Sequence, residues 1–363
     1  CGLALPASAA EPVKIGVYLP LTGQNAFGGQ LELDGIKLAQ QANPKVLGRD
    51  VELVVVDNKS DKVEAANAVK RLVERDKVSA YIGTYGSSLA MAGGEVGEKA
   101  GVPGVGTSCT SPLVTQGKKY YFRACFIDPY QGEKMANYAV EKLSAKTAAV
   151  FYQTGNDYSE GLMNAFVAKA AELGLEIVDT EAFAEGDKDF KAQMTNIAAA
   201  DPDVVFAPIY YAEAGLAITA ARAAGCDAVF MGGDGFGSVK NYASAEDLEG
   251  SVYCSGYAPG TDSVKQFEED YKAAYNVDEI PNMFAPLAYD AAMLICEGLK
   301  AAEEQGLTAG TEEYKQAVID AIKNMNGTEG ITGSYSFDEY NNPIKPVAII
   351  ELTGGDEVYQ EMY

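Results

Sequence analysis

The amino-acid sequence predicts an α/β protein with two lobes, each built round a parallel sheet that is flanked by helices. Short apolar runs are followed by a turn of small polar residues and then by an amphipathic stretch, and this order recurs along the chain. Such alternation is typical of right-handed βαβ units and therefore of parallel sheets. It occurs in both halves of the chain, which indicates two doubly wound units. The predicted strands include residues 13–19, 80–82, 102–105, 148–152, 204–208 and 228–231.

The amphipathic stretches predict the helices. Over residues 61–75, apolar residues recur at helical spacing, so that they share one side of a helix while charged residues occupy the other. Members of this apolar stripe are Val63, Ala66, Val69, Leu72 and Val73. Further helices are predicted over residues 130–143, 161–173, 216–224, 263–275, 284–304 and 312–324.

A change in this alternation predicts how the chain divides. The first unit is expected to end near residue 127 and the second near residue 256, after which helices follow without strands between them. Three helices are too few to enclose a core, so we expect them to pack on the first lobe. A pair of strands within residues 333–351 is expected to return to the second lobe. The predicted lobes are residues 13–127 with 257–335 and residues 128–256 with 336–363, joined by a hinge of three crossings.

Composition excludes several function classes. The chain has 28 Lys and Arg against 52 Asp and Glu, a net charge of −24. Nucleic-acid binding depends on clustered cations, so we expect no nucleic-acid partner. No apolar run approaches the roughly 20 residues that span a bilayer. The chain also has no histidine, which removes the commonest transition-metal ligand and the usual partner of a Ser or Cys nucleophile.

The cysteines leave two alternatives open. None of the six cysteines forms a CxxC pair, so a zinc site or redox motif has no support. Cys109 with Cys125, or Cys226 with Cys254, are candidate disulfides in an oxidising compartment. Buried free thiols are the alternative.

Residues 1–12 are expected to lie outside the fold. Cys1 followed by small residues is typical of a lipid-anchored mature chain, with Cys1 as the lipidated residue. Ala7-Ser8-Ala9 within an alanine-rich stretch is instead typical of the end of a secretory signal. Both interpretations predict export.

Hydroxyl-bearing turns after two predicted strands of the first unit suit a carboxylate. In open parallel sheets, ligands bind beyond the carboxyl ends of the strands. Ser87 and Thr110 lie at such ends, and exposed backbone amides near Ser88 and Ser108 are expected beside them. Helix N-capping is the alternative role for Ser87 and Thr110.

Turns of the second unit suit an ammonium group. Asp234 is placed to accept hydrogen bonds from it, and Tyr210 adds a phenol oxygen. Phe27, Tyr85 and Tyr158 are candidate apolar walls. The alternatives are an Asx turn for Asp234 and a surface or core position for Tyr158.

Enzyme motifs are missing from the sequence. Residues 233–237 lack the G-x-G-x-x-G spacing of a dinucleotide site, and there is no G-x-x-x-x-G-K-[ST]. Residues 155–161 lack the G-x-S-x-G elbow of a hydrolase. We therefore predict no enzymatic activity, no cofactor and no metal.

From Val13 to about Glu351 the sequence resembles the type I periplasmic solute-binding proteins of the leucine/isoleucine/valine branch, which are receptor components of ABC importers. The resemblance implies two Rossmann-like lobes, three hinge crossings and closure around a small ligand. The motifs that carry it are Leu21-Thr22-Gly23, Asp57-Asn58-Lys59-Ser60-Asp61, Ser87-Ser88, Asp128-Pro129-Tyr130-Gln131-Gly132, Asn156-Asp157-Tyr158-Ser159-Glu160-Gly161, Gly186-Asp187-Lys188-Asp189-Phe190 and Gly232-Gly233-Asp234-Gly235.

The resemblance also implies residue roles. Ser87 and Thr110 would hold the α-carboxylate of an amino acid, with main-chain contacts from Ser108. Tyr210 and Asp234 would hold its α-ammonium group. The other implied positions are Phe27 and Tyr158 as aromatic walls, Asp128 as a carboxylate near the first crossing, Tyr85 as a residue that shapes the side-chain pocket, and Gly86, where some members have a disulfide-bonded cysteine.

These observations lead to one functional hypothesis and its alternatives. We expect a monomeric, exported binding protein, periplasmic or on the outer face of the cytoplasmic membrane, that passes an aliphatic, branched amino acid to ABC permease subunits. Alternative cargoes on the same fold are an amide, a urea-like compound, an aromatic amino acid or an aromatic acid. An α/β enzyme and a receptor's ligand-sensing domain are the alternatives from other classes.

Overall fold

The computed structural model describes residues 11–279 and 282–363 of the 363-residue chain. Cys1 and the candidate signal at Ala7-Ser8-Ala9 lie outside the described residues. The described part contains two large sheets of six and seven strands and one two-stranded sheet. Both large sheets are mostly parallel and are flanked by helices, which confirms the predicted fold class.

The first sheet has the strand order β2-β3-β1-β4-β5-β6, and its strands are parallel except for β2. This order places the first strand in the middle, with later strands added on both sides. The loops after β1, β4 and β5 therefore meet at one edge. The strands are β1 Val13–Leu19, β2 Lys45–Val46, β3 Arg49–Asp57, β4 Ala80–Ile82, β5 Gly104–Gly106 and β6 Tyr121–Arg123, and the first three helices are α1 Ala26–Ala42, α2 Lys62–Glu74 and α3 Ser87–Ala100.

Helix α2 has the predicted extent but a rotated buried face. Asp61 caps it by accepting a hydrogen bond from the Glu64 amide at 2.9 Å. Val63, predicted to belong to the apolar stripe, is 67% exposed because it lies in the first turn on the solvent side. The residues that face the core are Ala65, Ala68, Val69 and Leu72.

The second sheet has the order β15-β14-β11-β10-β9-β7-β8. Strands β7 to β11 are parallel, and the last two strands of the chain extend the sheet in antiparallel pairing. The elements are α4 Asp128–Glu141, β7 Thr147–Gln153, α5 Asp157–Leu173, β8 Glu176–Phe183, α6 Lys191–Ala200, β9 Val204–Phe206, α7 Tyr211–Ala223, β10 Val229–Gly232, α8 Ala245–Leu248, β11 Val252–Ser255, β14 Ala348–Thr353 and β15 Asp356–Met362.

The chain passes between the large sheets three times. It leaves the first after β6, returns after β11, and leaves again before β14. The intervening helices are α9 Lys265–Tyr275, α10 Phe284–Glu304 and α11 Glu312–Lys323. Helix α10 packs closely on α1, where a Cβ at Gly35 would lie 2.0 Å from the Ala285 carbonyl oxygen. No helix among residues 11–279 and 282–363 is both long and apolar enough to cross a membrane.

Two strands begin within residues 333–351, as the sequence predicts, but only the second of them joins the second sheet. Strand β13 (Gly333–Ser336) pairs with β12 (Asn326–Gly330), whereas β14 pairs with β11 and β15. Polar and glycine residues in β12 give no strand pattern. The hairpin is instead anchored by the buried Asp290, which accepts from the Ile331 and Thr332 amides at 2.7 and 2.9 Å.

The cysteines of the described residues are free thiols. Cys109, Cys125, Cys226 and Cys254 are buried and Cys296 is partly buried. The free-thiol alternative therefore describes this structure, and neither candidate disulfide is formed.

Candidate ligand-binding site

The two lobes contact each other across the predicted cleft. The Gly28 amide of α1 donates to the Tyr211 hydroxyl of α7 at 3.0 Å. The Ser88 hydroxyl of α3 donates to Asp157 Oδ2 of α5 at 2.6 Å. Both pairs join an element of the first lobe to one of the second, so the structure is a closed arrangement of the lobes.

Ser87 opens helix α3 at the edge of the first sheet. Gly86 precedes it with φ +90°, which places the helix start directly after the β4 loop. Ser87 is 1% exposed, and its hydroxyl oxygen accepts from the Ser111 amide at 3.1 Å. A hydroxyl at a buried helix N-terminus suits an anion, because the first amides and the helix dipole both favour negative charge.

Thr110 lies beside Ser87 in the loop after β5. It is 1% exposed, and its carbonyl oxygen accepts from the Asp128 amide at 2.9 Å. This bond ties the loop of the first sheet to the start of α4, at the first crossing. Thr110 is therefore fixed between the two lobes.

Ser108 differs from its predicted role. Its amide and hydroxyl donate to Glu32 Oε1 at 3.1 and 2.6 Å, and the Thr107 hydroxyl donates to Glu32 Oε2 at 2.7 Å. The Ser108 carbonyl oxygen accepts from the Gly86 amide at 3.0 Å. The expected exposed amide near Ser108 is thus engaged, because a buried carboxylate on α1 uses both of its donors. In this structure Ser108 positions the loop that carries Thr110.

Asp128 and Asp234 come together through a residue that the site prediction missed. Gln131 Nε2 donates to Asp128 Oδ1 at 2.8 Å and to Asp234 Oδ1 at 3.0 Å. Gln131 Oε1 accepts from the Asp234 amide at 3.0 Å and the Cys254 thiol at 2.9 Å. All three side chains are at least 97% buried, since Asp128 and Gln131 are 0% and Asp234 is 3% exposed.

This acid pair has no ion-paired cation among the described residues, and the charge of the buried Arg123 only partly lowers the pKa of Asp128. No Lys or Arg among the described residues forms an ion pair with Asp128 or Asp234, and Asp128 Oδ2 has no hydrogen-bond partner there. Burial, with repulsion from Asp234, raises the pKa of Asp128 to about 8. Burial also raises the pKa of Asp234 to about 6, against hydrogen bonds from Gln131 and Tyr158. A bound ammonium group would offset both the desolvation and the repulsion.

Tyr158 and Tyr210 cover the acid pair from the second lobe. Asn156 caps α5 by accepting from the Tyr158 and Ser159 amides, which fixes Tyr158 at the helix start. The Tyr158 hydroxyl oxygen accepts from the Gly235 amide at 2.9 Å. The Tyr158 and Tyr210 rings stack with centroids 5.0 Å apart. Both residues were predicted at this site, and both are buried there.

Tyr85 lies in an aromatic cluster beside these groups. Its ring is 5.4 Å from Tyr210, 6.2 Å from Tyr211 and 4.9 Å from Phe284, centroid to centroid. Phe27 lies further out, 40% exposed, with its ring centroid 6.0 Å from that of Tyr211. The predicted walls therefore separate into a buried Tyr85 and a rim residue, Phe27.

A cavity of about 170 Å³ lies between the lobes next to this cluster. Residues of both lobes line it, among them Ser60, Gly86, Ser88, Gln153, Asn156 and Tyr210. A larger hollow of about 590 Å³ beside β15 is lined by charged side chains such as Lys272 and Asp278. Of these two cavities, the smaller one is lined by Tyr210 and by Gly86 and Ser88, the neighbours of Ser87, so we place the candidate site beside it.

Four residues that shape the candidate site were not predicted from the sequence, namely Gln131, Tyr211, Glu32 and Phe284. Gln131 follows Asp128 by one helical turn, and this i, i+3 spacing is a signal that could have found it. Tyr211 directly follows the predicted Tyr210. Glu32 and Phe284 give no local signal, since Glu32 lies inside the amphipathic helix α1 and Phe284 is the apolar first residue of α10.

Comparison with known proteins gives the family. Residues 12–356 match the family described as periplasmic binding protein. The "Leucine-, isoleucine-, valine-, threonine-, and alanine-binding protein" of Pseudomonas aeruginosa is 31% identical over 93% of this chain and 89% of its own length.

Two solved structures are similar over nearly the whole chain. A leucine binding protein from Thermotoga maritima has 34% identity and a TM-score of 0.89, covering 96% of this chain and 98% of that one. A branched-chain amino acid transporter substrate binding protein from Streptococcus pneumoniae, in complex with isoleucine, has 33% identity and a TM-score of 0.89, covering 97% and 99%. The family match and these likenesses agree with the geometry of two sheets closed on a buried polar site. The chain belongs to the periplasmic binding protein family.

Proposed function

We propose that this protein captures an amino acid with an aliphatic, branched side chain between its two lobes. The α-carboxylate binds Ser87, Thr110 and the start of α3. The α-ammonium group binds Asp234, with Asp128 and Tyr210 beside it. Two relatives support this cargo: the one from Pseudomonas aeruginosa is named for binding leucine, isoleucine and valine as well as threonine and alanine, and the one from Streptococcus pneumoniae is in complex with isoleucine.

The observation that carries the proposal is the buried acid pair, Asp128 and Asp234, which has no ion-pair partner among the described residues. Two carboxylates share one amide donor, Gln131 Nε2, in a site from which water is largely excluded. Across the cleft lie hydroxyls and a helix N-terminus, which favour negative charge. An ion with positive and negative ends a few bonds apart matches both sides. A ligand with only one of these charges leaves one side unmatched.

Calorimetric titration with leucine, isoleucine and valine tests the proposal. At 100 times its Kd, a ligand that binds only the folded state raises the free energy of unfolding by about 2.7 kcal/mol. We expect such a shift with at least one of the three, measured by differential scanning calorimetry or a dye because the chain has no tryptophan. No shift with any amino acid would contradict the proposal.

The alternative cargo is a ligand without an ammonium group, such as an amide, a urea-like compound or an aromatic acid. Such a ligand gains nothing from the charge of Asp234. The Asp234→Asn variant therefore separates the two classes: amino-acid binding should weaken, whereas binding of a ligand without an ammonium group should persist.

We also propose that the loaded protein acts outside the cytoplasmic membrane and delivers its ligand to ABC permease subunits as a monomer. The family supports an extracytoplasmic site of action. Light scattering coupled to gel filtration tests the monomer. Ligand-dependent stimulation of the ATPase of a reconstituted transporter tests the delivery. A dimer in light scattering would contradict the proposed monomer, and an unchanged ATPase rate would contradict the proposed delivery.

A further inference from the structure

Glu32 is a buried carboxylate inside helix α1 that the proposed ligand contacts do not use. The residue is 0% exposed, and no Lys or Arg among the described residues forms an ion pair with it. Burial raises the pKa of Glu32 to about 7, and hydrogen bonds from Ser108 and Thr107 oppose this rise. Burying an acid without a cation is unfavourable, so a group of this kind beside a cleft indicates a role beyond packing.

Three donors from the loop after β5 converge on the Glu32 carboxylate. The Ser108 amide and hydroxyl donate to Oε1 at 3.1 and 2.6 Å, and the Thr107 hydroxyl donates to Oε2 at 2.7 Å. Thr107 and Ser108 are 0% and 6% exposed, so water has little access to replace these bonds. A carboxylate accepts on both oxygens, whereas an amide has one acceptor oxygen and one donor group. The loop therefore requires a carboxylate at this position rather than a polar group of the same shape.

The loop that Glu32 holds is connected to both hydroxyls of the proposed carboxylate side. Thr110 is two residues after Ser108 in the same loop. The Ser108 carbonyl oxygen accepts from the Gly86 amide at 3.0 Å, and Gly86 directly precedes Ser87 at the start of α3. Fixing Ser108 therefore fixes the position of Thr110 relative to Ser87.

Helix α1 is itself held close to its neighbours on the side that carries Glu32. Gly29 and Gly35 lie three residues before and three residues after Glu32, a spacing that places them on the same side of the helix. A Cβ at Gly29 would lie 2.1 Å from the Pro20 carbonyl oxygen, and a Cβ at Gly35 would lie 2.0 Å from the Ala285 carbonyl oxygen. These contacts leave α1 little room to shift, so the Glu32 carboxylate is a fixed anchor for the loop.

We propose that Glu32 is a positioning residue for the ligand carboxylate: it holds the loop after β5 so that Ser87 and Thr110 together reach one carboxylate group. Glu32 does not touch the ligand in this role. It acts through Ser108, and its loss should weaken the binding of a ligand that has a carboxylate more than the binding of one that lacks it. The inference rests on the proposed function, since it requires a carboxylate bound by Ser87 and Thr110.

The test compares the Kd values of leucine and leucinol by calorimetric titration for the wild type, Glu32→Gln and Asp290→Asn. Leucinol keeps the ammonium group and the side chain of leucine and has CH2OH in place of the carboxylate. Asp290 is the matched control, because it is also a buried carboxylate of the first lobe, 1% exposed, but holds the hairpin through the Ile331 and Thr332 amides. We expect Glu32→Gln to lower the wild-type preference for leucine over leucinol about tenfold, and Asp290→Asn to keep it.

A second variant keeps the test decisive if Glu32→Gln does not fold. Thr107→Val keeps the volume of the side chain and removes one of the three donors to Glu32, so it should lower the same preference about threefold. Both ligands are measured on one preparation, so partial unfolding changes both Kd values and leaves their ratio intact.

The outcomes separate this inference from the proposed function. If the preference is unchanged in Glu32→Gln, or in Thr107→Val where Glu32→Gln does not fold, the role of Glu32 is wrong while amino-acid binding stands. An equal loss of preference in Asp290→Asn would also overturn that role. If the wild type binds leucinol as tightly as leucine, or binds neither, the proposed carboxylate contacts fall together with this inference.

Discussion

Replacing Asp234 with asparagine should change affinity and stability in opposite directions. The carboxylate of Asp234 is the proposed partner of the ligand ammonium group, and in this structure it is buried beside Asp128 with a shared amide donor. Asparagine keeps the shape of the side chain and removes the charge. It should therefore weaken ligand binding and raise the free energy of unfolding of the ligand-free protein.

The structure sets the size of both effects. Removing one partner of a buried charge pair costs about 2–5 kcal/mol, so Kd should rise about 30-fold to several thousand-fold. Burial raises the pKa of Asp234 from 3.8 to about 6, so the folded state disfavours the carboxylate. Below pH 3.8 the Asp234 carboxyl is neutral, and its burial does not lower the free energy of unfolding. As the pH rises through about 6, that free energy falls by up to about 3 kcal/mol, because the unfolded state ionises this carboxyl more readily than the folded state does. At pH 7, Asp234→Asn should recover part of that amount.

Calorimetric titration and urea unfolding of the ligand-free protein at pH 7 measure the two effects. Asp203→Asn is the control, because Asp203 is exposed and the Lys146 and Thr147 amides lower its pKa. It should lose stability and leave Kd unchanged. The reasoning about Asp234 is refuted if Asp234→Asn keeps the wild-type Kd, or if it is less stable than the wild type when ligand-free.

Three further predictions concern the same site and its closure. Because burial raises the pKa of Asp128 to about 8, binding of an ammonium group should release protons, and Kd should fall as the pH rises from 6 to 8. Calorimetric titrations in buffers of different ionisation enthalpy measure the number of protons released. A value of zero would contradict the prediction. Gln131→Ala removes the donor shared by two carboxylates and the acceptor for the Asp234 amide. Urea unfolding should therefore show a free energy of unfolding lower by about 1–3 kcal/mol, and Kd for the ligand should rise. Wild-type values for both quantities would refute the role of Gln131. Asp157→Ala removes the acceptor for the Ser88 hydroxyl across the cleft, so Kd should rise up to about fivefold, and small-angle scattering should show a larger ligand-free particle. Glu160→Ala on the same helix is the control, because Glu160 accepts only from the Gly155 amide of its own lobe. Equal behaviour of the two variants would count against closure through Asp157.

The sequence predicts where several candidate site residues lie relative to the strands, whereas their role in binding stays a prediction. Ser87, Thr110 and Asp234 follow short apolar runs, and parallel strands bring such turns to one edge of a sheet. The structure buries all three. Tyr158 was predictable for a similar reason, since Asn156 marks a helix start after β7.

Other features depend on contacts between distant segments. Glu32 and Ser108 are 76 residues apart, and only the packing of α1 under the β5 loop brings them together. The amphipathic pattern of α1 predicts a buried face but not a buried carboxylate on it. Similarly, the strand β12 has a polar, glycine-containing sequence, and its position is set by hydrogen bonds from the next residues to Asp290. The sequence pattern records local periodicity, whereas these pairs depend on tertiary packing.

A crystal structure of the protein with a bound amino acid tests the central claim most directly. We predict the ammonium nitrogen within about 3.2 Å of the Asp234 carboxylate and the ligand carboxylate within the same distance of the Ser87 and Thr110 hydroxyls. A ligand bound with these ends reversed, or bound away from the cleft between the two lobes, would contradict the account.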